Sequence, residues 1–142
     1  MMREDNVSTR LAGPDDLEVV GQHGQLPLDV IMRKLRAGEI ILLSINNQPT
    51  GYLWFSFLWS SLPFIDLIYI DDAYQKRGLS RVLLGYLEDH LMARGFDVLY
   101  SSSQLDEPEP QAWHRHMGFE ECGVINGLNE GGIGEVFFRK IL

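Results

Sequence analysis

Between Tyr74 and Leu84 the chain reads YQKRGLSRVLL, so Lys76, Arg77 and Arg81, three of its twelve basic residues, gather around Gly78. No acid interrupts the stretch from Gln75 to Arg81. The first turn of a helix leaves backbone N–H groups without intrahelical acceptors and carries partial positive charge. Glycine at that point lets a phosphate approach the backbone closely. The stretch therefore suits an anion, although the same residues also suit an ordinary solvated helix start. Two common phosphate motifs are excluded: the GxxxxGK[ST] spacing is absent, and a single glycine makes no dinucleotide fingerprint.

Candidates for proton chemistry are few. Asp66 is the one charged residue in the apolar run PFIDLIYI and shares a strand face with Ile68 and Ile70 by alternation. A carboxylate buried there would resist ionisation unless partnered, which suits a base or an anchor for a cation. An Asp bonded to a neighbouring backbone or arginine is the competing reading. His114 and His116 flank Arg115 in AWHRHMGF. Residues two apart on a helix point to different faces, so HRH is no metal pair by itself. Glu130 suits an ordinary turn acid. Cys122 is the single cysteine, so no intrachain disulfide or cysteine zinc site is expected.

The elements that must position these groups follow from periodicity in a chain of 142 residues, read as one domain over 1–142. A first strand runs from about Val7 to Ala12, then two short helices, the second ending near Gly38. A hairpin spans Ile40 to Ser60 around Asn46–Asn47–Gln48–Pro49. Phe64 to Ile70 is a further strand, covered on both faces. From Gly78 to Arg94 the three-and-four spacing of Leu79, Val82, Leu83, Tyr86, Leu87, His90 and Leu91 predicts a long amphipathic helix stopped by Gly95. The strand FDVLYSSS, a proline-started helix ended by Gly118, and a hairpin around NEGGIG complete the order. That order, β-α-α-β-β-β-α-β-α-β-β, predicts an α/β mixed sheet with helices on both faces.

Twelve Lys and Arg against twenty Asp and Glu give a net charge of −8, which disfavours nucleic acid and anionic membranes as partners. Nowhere do eighteen apolar residues run together, and MMREDNVSTR lacks an apolar signal core, so a cytoplasmic location is expected.

With these residues placed, LIYIDDAYQKRGLSRVLLGYLEDHL resembles the cofactor motif of the GNAT superfamily of acyl-CoA-dependent N-acyltransferases. Gln75 and Gly78 match that motif, while Ser80 replaces its second small residue. AWHRHMGF resembles the family's second signature, a helix ending in an aromatic, three residues, then Gly-Phe. There the usual tyrosine, four residues before the glycine, is His114, and Glu107 stands near the usual asparagine. The two motifs cover roughly Phe64 to Phe119.

The resemblance implies a mostly antiparallel sheet with a splayed strand pair that holds CoA, and acetyl-CoA as co-substrate with no metal. The backbone of Ile68, Tyr69 and Ile70 would hold the pantetheine arm. The pyrophosphate would rest on the turn formed by Gln75, Lys76, Arg77, Gly78, Leu79, Ser80 and Arg81. His114 would protonate the departing sulfur, and Asp66 would serve the amine. An alkylamine with a pKa near ~10.4 is neutral in roughly one molecule in 2,500 at pH 7, so a proton acceptor is needed. The implied activity is transfer of acetyl to a primary amine, of a small molecule or peptide, by direct attack in a ternary complex. The alternative is a non-catalytic acyl-CoA-binding domain of the same fold. Monomer and homodimer both remain open.

Overall fold

A computed structural model describes residues 5–22 and 26–142. Among the described residues, seven strands form one mixed, mostly antiparallel sheet in the order β1-β2-β3-β4-β5-β7-β6, accompanied by four α-helices. The chain divides into two compact units, Met1–Phe55 with Leu67–Asp89, and Ser56–Asp66 with His90–Leu142.

In the first unit, β1 (Val7–Leu11) pairs antiparallel with β2 (Ile40–Ile45), and β2 with β3 (Gln48–Leu58). The β2–β3 turn is tighter than the four-residue turn expected. Only Asn46 and Asn47 form it, with φ of 50° and 66°, while Gln48 and Pro49 already belong to β3. Two left-handed residues give the strand twist that a two-residue hairpin requires, and asparagine tolerates them best after glycine. The sequence between β1 and β2 makes a short 3₁₀ turn, α1 (Leu17–Val20) and α2 (Leu28–Ala37). Asp29 in the first turn of α2, and Lys34 and Arg36 in its last, match the helix dipole. Gly38 closes that helix in a left-handed conformation with φ 70°. Val20, Ile31 and Leu35 bury their side chains with Ile40, Leu42, Tyr52 and Trp54 in one apolar cluster, against which Leu67 and Tyr69 of β4 (Leu62–Ile70) pack.

A short 3₁₀ turn at Asp72–Tyr74 leads toward α3 (Leu79–Ala93). Leu79, Leu83, Leu87 and Leu91 of the expected stripe are buried, but Val82 is exposed, and Leu84, outside that stripe, is buried instead.

In the second unit, β5 (Val98–Gln104) pairs antiparallel with β7 (Glu135–Ile141), and β7 with β6 (Glu120–Ile125). Here β4 meets β5 in parallel at Phe64↔Tyr100. α4 (Pro108–His116) opens on Pro108, whose fixed φ and missing N–H suit the first helical position. The two faces of β5 differ sharply. Leu99, Ser101 and Ser103 are buried, whereas Val98, Tyr100, Ser102 and Gln104 are half-buried. β7 repeats the division: Val136 and Phe138 are buried, Glu135 and Phe137 half-buried.

Candidate active site

The turn before α3 combines left-handed backbone with exposed residues. Lys76 and Gly78 both sit in the left-handed region, with φ of 64° and 75°. Gln75, Lys76, Arg77 and Gly78 are exposed, while Leu79 is buried and anchors the first turn of α3. No acid occupies that first turn. A Cβ built on Gly78 meets no atom within 4 Å, so the space beside its backbone is open. The Gln75 amide donates to Ile70 O at 3.2 Å and Asp72 Oδ1 at 3.2 Å, tying the turn back to the end of β4. The Arg77 guanidinium lies 5.2 Å from the Tyr74 ring centroid and 3.6 Å from Asp5 Oδ2. Ser80 and Arg81 follow in α3.

β4 carries Ile68, Tyr69 and Ile70, each half-buried. A Cβ at Gly51 of β3 would come within 2.6 Å of Tyr69 O and 2.8 Å of Ile70 Cδ1, so only glycine permits this approach. The Tyr69 ring stacks on Tyr52 at 5.1 Å, and its hydroxyl bonds Asp71. Burial pushes the Tyr52 phenol up to about 12, which keeps it protonated.

Asp66 departs from expectation. It is exposed, not buried in a covered strand, and its Oδ1 accepts from Ser56 Oγ at 2.8 Å.

His114 is 4% exposed and fully bonded. Its Nδ1 lies 2.7 Å from Pro110 O, and its Nε2 lies 2.7 Å from Ser101 Oγ. A carbonyl only accepts, so Nδ1 carries the proton, and Nε2 of the neutral ring then accepts from the serine. The ring stacks on Phe138 with centroids 4.4 Å apart, and meets Trp113 and Phe119 edge-on. Burial, foremost, pushes the imidazole below its ordinary range; the Pro110 carbonyl and Glu135 oppose this only partly. No imidazole N–H points outward, so proton transfer from this residue requires the Ser101 bond to break or reverse. Ser103 Oγ, on the same buried face, has no hydrogen-bond partner.

Glu135 did not stand out in the sequence. Its Oε2 accepts from Ser102 Oγ at 2.6 Å and its Oε1 from Asn129 Nδ2 at 2.9 Å. The signal was available, because Glu135 opens the apolar run EVFF as Asp66 interrupts PFIDLIYI. Glu130 lies exposed in the 3₁₀ turn ahead of β7, and Cys122 is exposed on β6. Among the described residues, no three His, Cys, Asp or Glu side chains gather as a metal site. Among the same residues, no helix is long and apolar enough to cross a membrane.

A model of the acetyltransferase (GNAT) family matches residues 10–119. The ribosomal-protein-S18-alanine N-acetyltransferase of Escherichia coli superposes with a TM-score of 0.81 at 17% identity, covering 96% of this chain and 94% of that one. YncA of Salmonella typhimurium, solved with its cofactor acetyl-CoA, superposes at 0.79 with 19% identity, covering 96% and 94%. The ribosomal-protein-alanine N-acetyltransferase of Brucella melitensis superposes at 0.78 with 21% identity, covering 95% and 99%. Among curated proteins, none matches the sequence.

Proposed function

The chain belongs to the acetyltransferase (GNAT) family, and from that premise we propose that it transfers acetyl from acetyl-CoA to a primary amine by direct attack in a ternary complex. The observation that carries this reading is the turn at Gly78. Its two left-handed residues, open space, acid-free first helical turn and nearby cations together fit a pyrophosphate. Gln75, Lys76, Arg77, Gly78, Leu79, Ser80 and Arg81 would hold that group, and the backbone of Ile68, Tyr69 and Ile70 the pantetheine arm. When bound, acetyl-CoA supplies an activated thioester.

Arg77 would exchange its exposed partner Asp5 for phosphate, a trade between solvent-screened pairs. Asp66, exposed two residues before the cofactor stretch, would attract the ammonium form of the acceptor. His114 would act on the leaving sulfur only through Ser101. The fold neighbours named for alanine N-acetylation make a peptide α-amine a fitting acceptor class alongside small amines.

A non-catalytic acyl-CoA-binding domain is the second reading, favoured by the closed hydrogen bonding of the His114 ring. A screen of alkylamines and peptides with free N-termini, incubated with acetyl-CoA and read by product mass, separates the two. Acetylated product from at least one amine supports the enzyme. CoA binding without any acetylated product supports the binding domain.

A further inference from the structure

We propose that Glu135 is the carboxylate that seats the acceptor's ammonium group. This rests on the acetyltransferase reading above. Glu135 stands at the head of β7, paired with Gln104 of β5 on one side and Ile125 of β6 on the other. Both its oxygens accept from neutral donors, Ser102 at 2.6 Å and Asn129 at 2.9 Å. Two fixed donors on separate elements hold a carboxylate in one orientation while adding no positive charge. Among the described residues, no Lys or Arg forms an ion pair with it. It is thus a positioned anion whose natural further partner is a cation.

The surface around it suits the rest of such a ligand. Antiparallel pairing puts Ser102 and Phe137 on one face, and alternation puts Tyr100 and Glu135 there too. Phe64 joins them through its pairing with Tyr100, and its ring lies 5.9 Å from that of Phe137. All five are half-buried, while the opposite face is closed over Ser101, His114 and Phe138. An aromatic floor leading to a fixed carboxylate recognises an aliphatic or peptidyl ammonium ion by apolar contact at one end and charge at the other.

The test compares wild type, Glu135→Gln and Ser102→Ala, each saturated with CoA. Alaninamide and N-acetyl-alaninamide, which differ at the amine, are titrated by calorimetry. Wild type should bind alaninamide at least tenfold more tightly, Glu135→Gln should keep at most the severalfold preference that Asp66 supplies, and Ser102→Ala should fall between. CoA affinity should stay within twofold throughout. With any amine that the wild type acetylates, KM should rise at least tenfold in Glu135→Gln. An undiminished preference in Glu135→Gln, no preference in wild type, or a matching loss of CoA affinity would overturn the proposal. Failure of the wild type to acetylate any amine would refute the acetyltransferase reading instead, while the alaninamide preference would still report on Glu135.

Discussion

Ser101 Oγ and His114 Nε2 lie 2.7 Å apart inside the second unit, with Ser101 2% and His114 4% exposed. The pair joins β5 to α4 by a buried hydrogen bond, and a second bond to Pro110 O fixes the tautomer. His114→Phe would fit the aromatic surroundings and leave the Ser101 hydroxyl without its partner. It should lower stability by about 1–3 kcal/mol, measured by urea unfolding. If His114 also moves a proton to the leaving group, kcat should fall about 100-fold at temperatures where the variant stays folded. Loss of stability with unchanged kcat, chemistry being rate-limiting, would assign the pair to the fold alone.

The same pair makes stability depend on pH. Burial lowers the His114 pKa in the folded state, whereas the unfolded chain keeps a value near ~6.5. Between those two values the unfolded state binds more protons, so unfolding free energy rises with pH. The stabilising contribution is complete above ~6.5 and is lost as pH falls from there toward the folded value. His90, also lowered by burial, adds a component of the same sign. Urea midpoints at pH 7.5 and pH 5 should therefore differ more in wild type than in His114→Phe. An equal difference in both proteins would contradict this.

Gly78 separates strain from ligand contact. Its φ of 75° disfavours any side chain, yet an added Cβ would touch nothing. Gly78→Ala should thus cost about 1–2 kcal/mol of folding stability from strain alone. Gly95, with φ 88° and equally open space, supplies the control. Both alanine variants should lose similar stability, and only Gly78→Ala should weaken CoA binding, by tenfold or more. Equal CoA affinity in the two variants would remove the Gly78 turn from the cofactor site.

Much of this arrangement was legible in the sequence, for local reasons. The α3 stripe, the glycines that stop α2 and α3, and Pro108 at the start of α4 each speak through neighbours a few residues away. What escaped depended on distant partners. Asp66 read as buried because the run around it is apolar, but apolar neighbours along a strand do not decide which side chain meets solvent. His114 read as an available acid because its ring partners, Ser101 and Phe138, are brought to it only by the β5–β7 pairing. Glu135 was missed because its meaning lies in Ser102, 33 residues earlier.

Gly51 tests the proposed seat of the pantetheine arm. Gly51→Ala would drive a methyl group into Tyr69 O, and a backbone oxygen cannot swing aside as a flexible side chain can. Stability should fall by about 1–3 kcal/mol, as for other overpacking changes. CoA affinity should fall as well, because the backbone from Ile68 to Ile70 must shift. A folded Gly51→Ala protein with wild-type CoA affinity would contradict the assignment of that backbone to the pantetheine arm.

Asp66 and Ser56 form an exposed pair, so breaking it should change stability by no more than about 0.5 kcal/mol. Asp66→Asn should raise KM for a cationic amine severalfold while kcat and CoA affinity hold. Weaker CoA binding with an unchanged amine KM would make Asp66 a support of β4.

The central claim is acetyl transfer from CoA directly to an amine, and time-resolved release of CoA thiol tests it most directly. Wild-type protein, equal in concentration to acetyl-CoA, is incubated with and without an acceptor amine from the screen, and free CoA is quantified by chromatography, because a thiol reagent would also react with the exposed Cys122. The account predicts almost no thiol release without amine. With amine present, thiol and acetylated amine should appear together, mole for mole, and the protein should gain no acetyl group. A burst of thiol without amine, leaving an acetylated protein, would contradict direct attack. Tight acetyl-CoA binding with no thiol release by any amine would contradict catalysis itself.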